Sequence, residues 1–266
     1  MHDRSLRQFF RLTFLISWGV GALALLLGLL THGRWFAPGT ALFMVAGAGP
    51  TLAALIITAR TEGIAGLKRL LRHLVPAAPT PALYLLALLA FSAIAGAAWC
   101  MTPRDVPAFF LLLSSSAFWS ILPAQIAVDT GPLGEELGWR GFALPRMLCT
   151  SSPWAASILL GVVWTLWHVP AFFLPELPQR HIAFAPFAVN TIALAVIFTW
   201  FYLRSGGDLL LMVLLHFLAN LVAGAFGLPL WPIAVASTSF ALLSSCDPRM
   251  RATRPGTTST QSPLAR

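Results

Sequence analysis

The sequence predicts an all-α fold, a polytopic membrane helix bundle with about eight transmembrane helices. Two properties of its 266 residues favour this class: 58% are hydrophobic and only 10% are charged, against about 45–50% and about 25% in soluble domains. A third is the recurrence of continuous apolar stretches about as long as the ~20 residues that cross a bilayer. A soluble globular domain is excluded, because the chain has too few polar residues to cover its own surface.

The apolar stretches follow one another along the chain with polar breaks between them. Eight spans are predicted, at residues 9–30, 37–59, 81–101, 108–128, 153–175, 184–203, 208–227 and 228–246. They make residues 1–246 one integral membrane domain, and an even number of spans places both termini on one side. Residues 247–266, rich in Arg, Ser, Thr and Pro, are predicted to be a disordered cytoplasmic tail.

The basic residues predict the orientation of these spans. Only three of the 17 Lys and Arg residues fall on one face, and they are Arg34, Arg104 and Arg180. The other fourteen share the opposite face, and they are Arg4, Arg7, Arg11, Arg60, Lys68, Arg69, Arg72, Arg140, Arg146, Arg204, Arg249, Arg251, Arg254 and Arg266. Because cytoplasmic loops carry the excess of Lys and Arg, we expect a multi-pass plasma-membrane protein with both termini cytoplasmic. The net charge of +8 then reflects loops that face anionic lipid, and no nucleic-acid partner is expected.

Three clusters of polar residues lie in or beside apolar stretches, where such residues are costly and are functional candidates. They are Glu135-Glu136-x-x-x-Arg140, Trp164-x-x-x-His168 and His216-x-x-x-Asn220. The midpoint between Glu135 and His168 falls on the turn Ser151-Ser152-Pro153, so the two side chains are predicted to be level across a helical hairpin. All three clusters can share one depth, which we expect to be reached from the cytoplasm.

Helical phase divides the first cluster between two roles. Glu136 and Arg140 are spaced i,i+4, so they lie on one face and are suited to an ion pair. Glu135 is rotated from Glu136 by about 100° and stays available as a base. A carboxylate in an apolar cavity can act as a general base near neutral pH, so hydrolysis by an activated water is the chemistry that the cluster favours.

The two histidines supply the rest of the candidate site. His168 can hold the water or carry a metal, and Trp164, one turn earlier, is expected to form an apolar wall over it. His216 and Asn220 are the donor types that stabilise a tetrahedral oxyanion. Zinc held by His168 and His216 with a Glu stays open, since two His and a Glu can bind it but no His-Glu-x-x-His helix is present.

Together the three motifs resemble those of the CPBP family, the CAAX prenyl proteases and bacteriocin-processing enzymes also called ABI proteins, often termed metalloproteases. The resemblance covers about residues 115–225, with Trp164 where the family more often has Phe. It implies an eight-helix intramembrane endopeptidase with a cytoplasm-facing cavity, acting on a membrane-associated or lipidated peptide or protein. It also implies that Glu135 and His168 activate water and that His216 and Asn220 form the oxyanion site.

Other functions and plainer interpretations stay open beside the protease. The runner-up is a non-catalytic immunity or scaffold protein, or a transporter with a proton relay, although transporters commonly show broken helices or repeats and none is visible. Glu135, Glu136 and Arg140 could also be the solvated start of a cytoplasmic helix. The last pair of polar residues, His216 and Asn220, could hold two helices together.

Overall fold

The computed structural model describes residues 2–31, 42, 44–75, 80–102, 115–116, 131–174, 177–224 and 228–251. Every regular element in this part of the chain is helical, which confirms the all-α class. The α-helices are α1 His2–Leu30, α2 Gly49–Arg72, α3 Pro81–Cys100, α4 Gly131–Gly138, α5 Leu144–Met147, α6 Pro153–Trp167, α7 Phe184–Ser205, α8 Leu209–Gly224, α9 Leu230–Ser244 and α10 Pro248–Arg251. A π-helix, Trp139–Ala143, joins α4 to α5, and two 3₁₀ helices, Val169–Phe173 and Pro178–His181, lie between α6 and α7.

Four of the eight predicted spans coincide with long apolar helices among the residues that the structure describes. Within the described part of the chain, four helices are long and apolar enough to cross a membrane: Arg4–Leu30, Pro81–Cys100, Pro153–Phe173 and Phe184–Ser205. The predicted spans 208–227 and 228–246 correspond to the shorter apolar helices α8 and α9. A polytopic helical bundle is therefore confirmed, while span 108–128, except for residues 115 and 116, lies outside the described residues.

Two predicted boundaries differ from the structure. The span 37–59, whose first residues lie largely outside the described part, continues as helix α2 to Arg72 with a break at Gly63 (φ 63°), a left-handed conformation that glycine adopts readily. The segment predicted as a tail begins with helix α10, whose Met250 is fully buried. Apolar packing of this one side chain explains why residues up to 251 continue the bundle, and the rest of the tail lies outside the described residues.

Helix α7 is central in the bundle and packs against α6 and α9. Small residues bring neighbouring helices close: a Cβ on Gly138 of α4 would lie 2.4 Å from the backbone carbonyl carbon of Pro50 in α2. Helix α8 is anchored at its first turn, where Asp208 accepts the Leu211 N–H at 3.0 Å and the Tyr84 hydroxyl of α3 at 2.8 Å. These contacts fix the helices that carry the three polar clusters.

Basic side chains gather at one end of the bundle, which we call the basic end and define by Arg69, Arg146 and Arg204. Glu62 pairs with both Arg69 and Arg146 at 2.8 Å, so the end of α2 meets α5. The Leu209 N–H donates to the His73 carbonyl at 2.9 Å, which brings the start of α8 to the same place. Helix α7 ends there with Arg204, and α6 begins just after α5.

Candidate active site

The first polar cluster lies on a short, largely buried helical segment. Glu135 and Glu136 belong to α4, and Arg140 belongs to the π-helix that follows, an element that is frequent at functional sites. The exposed fractions are 5% for Glu135 and 0% for Glu136 and Arg140. The interpretation of these residues as a solvated helix start is therefore wrong, because all three are buried in the bundle.

Glu136 joins the first and third clusters. Its Oε1 accepts from Arg140 Nη1 at 2.8 Å, the ion pair that the i,i+4 spacing predicts, and lies 2.7 Å from His216 Nδ1. The Arg140 guanidinium also lies 4.4 Å from the ring centroids of Trp164 and Phe198. A buried ion pair loses its hydration. The cation–π contacts of Arg140 and the contact of Glu136 with His216 compensate part of this loss.

Glu135 is held by two indoles. Its Oε2 accepts from Trp164 Nε1 at 2.6 Å and from Trp139 Nε1 at 3.2 Å. Its other oxygen, Oε1, lies 4.0 Å from His216 Nε2. One carboxylate oxygen is thus fixed by donors while the other faces the histidine of α8.

Neither tryptophan is predicted from the sequence to donate to Glu135, yet both do. Trp164 was expected only as an apolar wall, and its ring does lie 5.9 Å from that of His168, but it also donates to Glu135. Phe, which the family more often has here, carries no such donor. A signal was present, since buried Trp N–H groups usually find a partner and Trp139 is spaced i,i+4 from Glu135.

His168 ends helix α6 and is oriented by the backbone. Its Nδ1 lies 2.9 Å from the Trp164 carbonyl oxygen, and because a carbonyl only accepts, Nδ1 carries the proton. Its ring packs against Trp167, at a centroid distance of 4.7 Å, and against Phe187 at 5.0 Å. The nitrogen left for chemistry is therefore Nε2.

A cavity of about 300 Å³ brings the predicted residues together. Glu135, His168, His216 and Asn220 all line it, so side chains from three separate helices share one space. Glu136 and Arg140 do not line it and are buried. The six predicted site residues thus divide into four that line the cavity and two that are buried and do not line it.

The cavity lies away from the basic end. Its walls include Pro170, Leu174 and Gln179, from the segment that follows α6 at the far end of that helix. The cytoplasmic position of the basic end and the side from which the cavity is reached both stay predictions.

The described residues do not form an evident three-ligand metal site. No group of three or more His, Cys, Asp and Glu side chains with suitable geometry occurs among the residues that the structure describes. His216 Nδ1 contacts Glu136, and Glu135 Oε2 already accepts from two indoles. Zinc ligation by His168 and His216 stays a prediction.

The comparisons with known proteins match the part of the chain that carries this site. Residues 116–222 match the family described as type II CAAX prenyl endopeptidase Rce1-like. CAAX prenyl protease 2 of Methanococcus maripaludis is 33% identical over 122 residues, which cover 44% of this chain and 39% of that protein. The resemblance to the CPBP family of CAAX proteases that the three motifs indicate is thereby confirmed for this segment. The chain spans well under half the length of the curated relative that it matches.

Proposed function

We propose that the protein is an intramembrane endopeptidase that hydrolyses a peptide bond with a water activated by Glu135 and His168. The observation that carries the proposal is the convergence of Glu135, His168 and His216 on one cavity, with Glu135 Oε1 4.0 Å from His216 Nε2. The family match supports the reaction class, since the relative is named a CAAX prenyl protease. A membrane-associated or lipidated peptide or protein is the proposed substrate.

The contacts of Glu135 and His168 support one role for each side chain in the proposed hydrolysis. Glu135 Oε1 takes a proton from water while the two indoles hold Oε2, and His168 Nε2 accepts the other water O–H. The water oxygen bonds to the carbonyl carbon of the substrate. When the C–N bond breaks, Glu135 returns its proton to the departing amine, which leaves a carboxylic acid and an amine as products.

His216 and Asn220 are proposed to stabilise the tetrahedral oxyanion. An imidazolium donates from both nitrogens, so His216 can bond Glu136 through Nδ1 and the oxyanion through Nε2. Glu136 is then a positioning residue, and Arg140 balances its charge. Donors fixed in advance where charge develops are worth about 2.7–4 kcal/mol each in other acyl-transfer sites.

Zinc is not assigned a step in this proposal. Ligation by His168 and His216 stays a prediction, and each ring has an Nε2 that is not the atom contacting Trp164 or Glu136. Metal analysis of the purified protein tests it. Stoichiometric zinc that disappears in both His168→Ala and His216→Ala would establish the ligation, and zinc-free protein with full activity would contradict it.

Cells provide the test of the reaction and identify the substrate. Membrane peptides are profiled from cells with the wild-type protein, with Glu135→Gln and with Glu62→Gln, a matched change of a carboxylate at the basic end. We expect cleavage products to disappear only with Glu135→Gln, while the amount of membrane-inserted protein is unchanged. A scaffold, an immunity protein without turnover, or a transporter that does not cleave would leave the peptide profile of Glu135→Gln the same as wild type.

A further inference from the structure

We propose that Trp164 is a positioning residue that fixes Glu135 and His168 relative to each other, and that its indole N–H is essential for this. The inference rests on the proposed function, because Trp164 acts through the proposed base and the proposed water-binding imidazole. It also goes beyond that function. The sequence predicts Trp164 only as an apolar wall, and Phe, the residue that the CPBP family more often has here, carries no N–H.

Trp164 contacts the two side chains through different atoms. Its indole Nε1 donates to Glu135 Oε2 at 2.6 Å, and its backbone carbonyl accepts from His168 Nδ1 at 2.9 Å. The first bond crosses from α6 to α4, between residues 29 positions apart in the chain, whereas the second stays within one turn of α6. A single residue therefore joins the two side chains that are proposed to hold the same water.

The Trp164 ring is held on several sides by other residues. It is 3% exposed, and the Arg140 guanidinium lies 4.4 Å from its centroid. The rings of His216 and Phe198 pack against it at centroid distances of 5.3 Å and 6.0 Å. Because protein interiors are closely packed, the ring cannot turn without displacing these neighbours. The direction of its N–H, and with it the position of Glu135 Oε2, is thus set before a substrate binds.

Trp164 acts on the reaction without lining the cavity. Glu135 and His168 line the cavity, and Trp164 does not. Removal of its N–H therefore changes how the base is aimed and takes no contact away from a substrate in the cavity. The expected consequence is a lower kcat with an unchanged KM.

Trp139 shares the same carboxylate oxygen but has a lesser part in this arrangement. Its Nε1 donates to Glu135 Oε2 at 3.2 Å, a longer bond than that of Trp164. It follows Glu135 by four residues along one helical segment, so this bond does not tie Glu135 to α6. We therefore expect Trp139→Phe to lower kcat less than Trp164→Phe does.

Kinetics of the purified protein in liposomes test the role of the N–H. The probe is a membrane peptide whose cleavage product disappears from cells with Glu135→Gln. Since a misplacement of about 1 Å can cost about a hundredfold in rate, Trp164→Phe should lower kcat about 10–100-fold and leave KM unchanged. The matched control is Trp200→Phe, which removes an indole bond of 3.0 Å to the Asp247 carboxylate and should leave kcat and KM at their wild-type values.

Two further variants separate the N–H from the volume of the ring. Replacement of Trp164 by benzothienylalanine keeps the bicyclic shape and exchanges the N–H for sulfur, so it should lower kcat as Trp164→Phe does even if the Phe variant folds poorly. When Glu135→Gln is already present, Trp164→Phe should lower kcat no further, because coupled residues are not additive. A wild-type kcat with benzothienylalanine, or the same fold-loss from Trp164→Phe with and without Glu135, would overturn the proposal.

Nuclear magnetic resonance of ¹⁵N-labelled indoles provides a readout that needs no substrate. The Trp164 signal, assigned by its loss in Trp164→Phe, should move with Glu135→Gln because the N–H loses its charged acceptor, and should stay in place with Glu62→Gln. A signal that does not respond to Glu135→Gln would overturn the proposal. If the signal moves but Glu135→Gln cleaves like wild type, the proposed function has failed. If Glu135→Gln is inactive while benzothienylalanine at position 164 is fully active, the role of Trp164 alone has failed.

Discussion

Replacing Arg140 by Met tests whether the buried ion network holds the site together. The substitution removes the 2.8 Å bond to Glu136 and both 4.4 Å ring contacts, and it leaves a fully buried carboxylate with His216 as its remaining described partner. Removing one partner of a buried pair costs about 3–5 kcal/mol. At roughly 2–4 °C per kcal/mol for a chain of about this size, Arg140→Met should lower the melting temperature by about 6–20 °C.

The control for this change is Arg69→Met, which breaks an ion pair of the same 2.8 Å length whose Arg side chain is 48% exposed. Exposed pairs are worth about 0–1 kcal/mol, so this variant should melt within a few degrees of wild type. Thermal unfolding of the purified proteins in one detergent provides the comparison. The double variant Glu136→Gln/Arg140→Met should recover part of the loss, because no unpaired carboxylate remains. Equal melting temperatures for Arg140→Met and Arg69→Met would refute the reasoning. So would a double variant whose melting temperature falls by the sum of the decreases for Glu136→Gln and Arg140→Met alone.

Two further substitutions test the packing of α4 against α2 and the charge of Asp247 at the basic end. Gly138→Ala should melt clearly below Gly96→Ala, since its Cβ would lie 2.4 Å from Pro50 while Gly96 has open space around it; equal melting would contradict the close approach. The backbone N–H of Arg249 donates to the Asp247 carboxylate at 2.9 Å, and this bond holds the pKa of Asp247 below its ordinary value. Its stabilisation is therefore present at neutral pH and is lost as the pH falls through that lowered pKa. Asp247→Asn should accordingly melt below wild type near pH 7, with a difference that shrinks in acid; a difference independent of pH would contradict this.

The features predicted from the sequence depend on local rules. The spans follow from apolar length alone, and the pairing of Glu136 with Arg140 follows from the rotation of a helix by about 100° per residue. The grouping of the three motifs around one cavity also agrees with the depth argument. In each case the relevant distance is set by helix geometry within one element, or by a short hairpin.

The features that the sequence did not predict depend on packing between distant elements. His216 lies 80 residues from Glu136, and only the contact of α8 with α4 decides that its Nδ1 is used there rather than for an oxyanion. The direction of the Trp164 N–H likewise depends on how α6 lies against α4. The walls of the cavity depend on the packing of α1 and the segment after α6, which no motif records.

The central claim is that Glu135 activates water in this cavity. The most direct measurement is the rate of substrate cleavage by purified protein in liposomes, for wild type, Glu135→Gln and the matched Glu62→Gln. General acid–base catalysis contributes about 10²–10⁴-fold to rates, so Glu135→Gln should lose at least about a hundredfold while Glu62→Gln cleaves like wild type. Cleavage by correctly folded Glu135→Gln at the wild-type rate would contradict the claim.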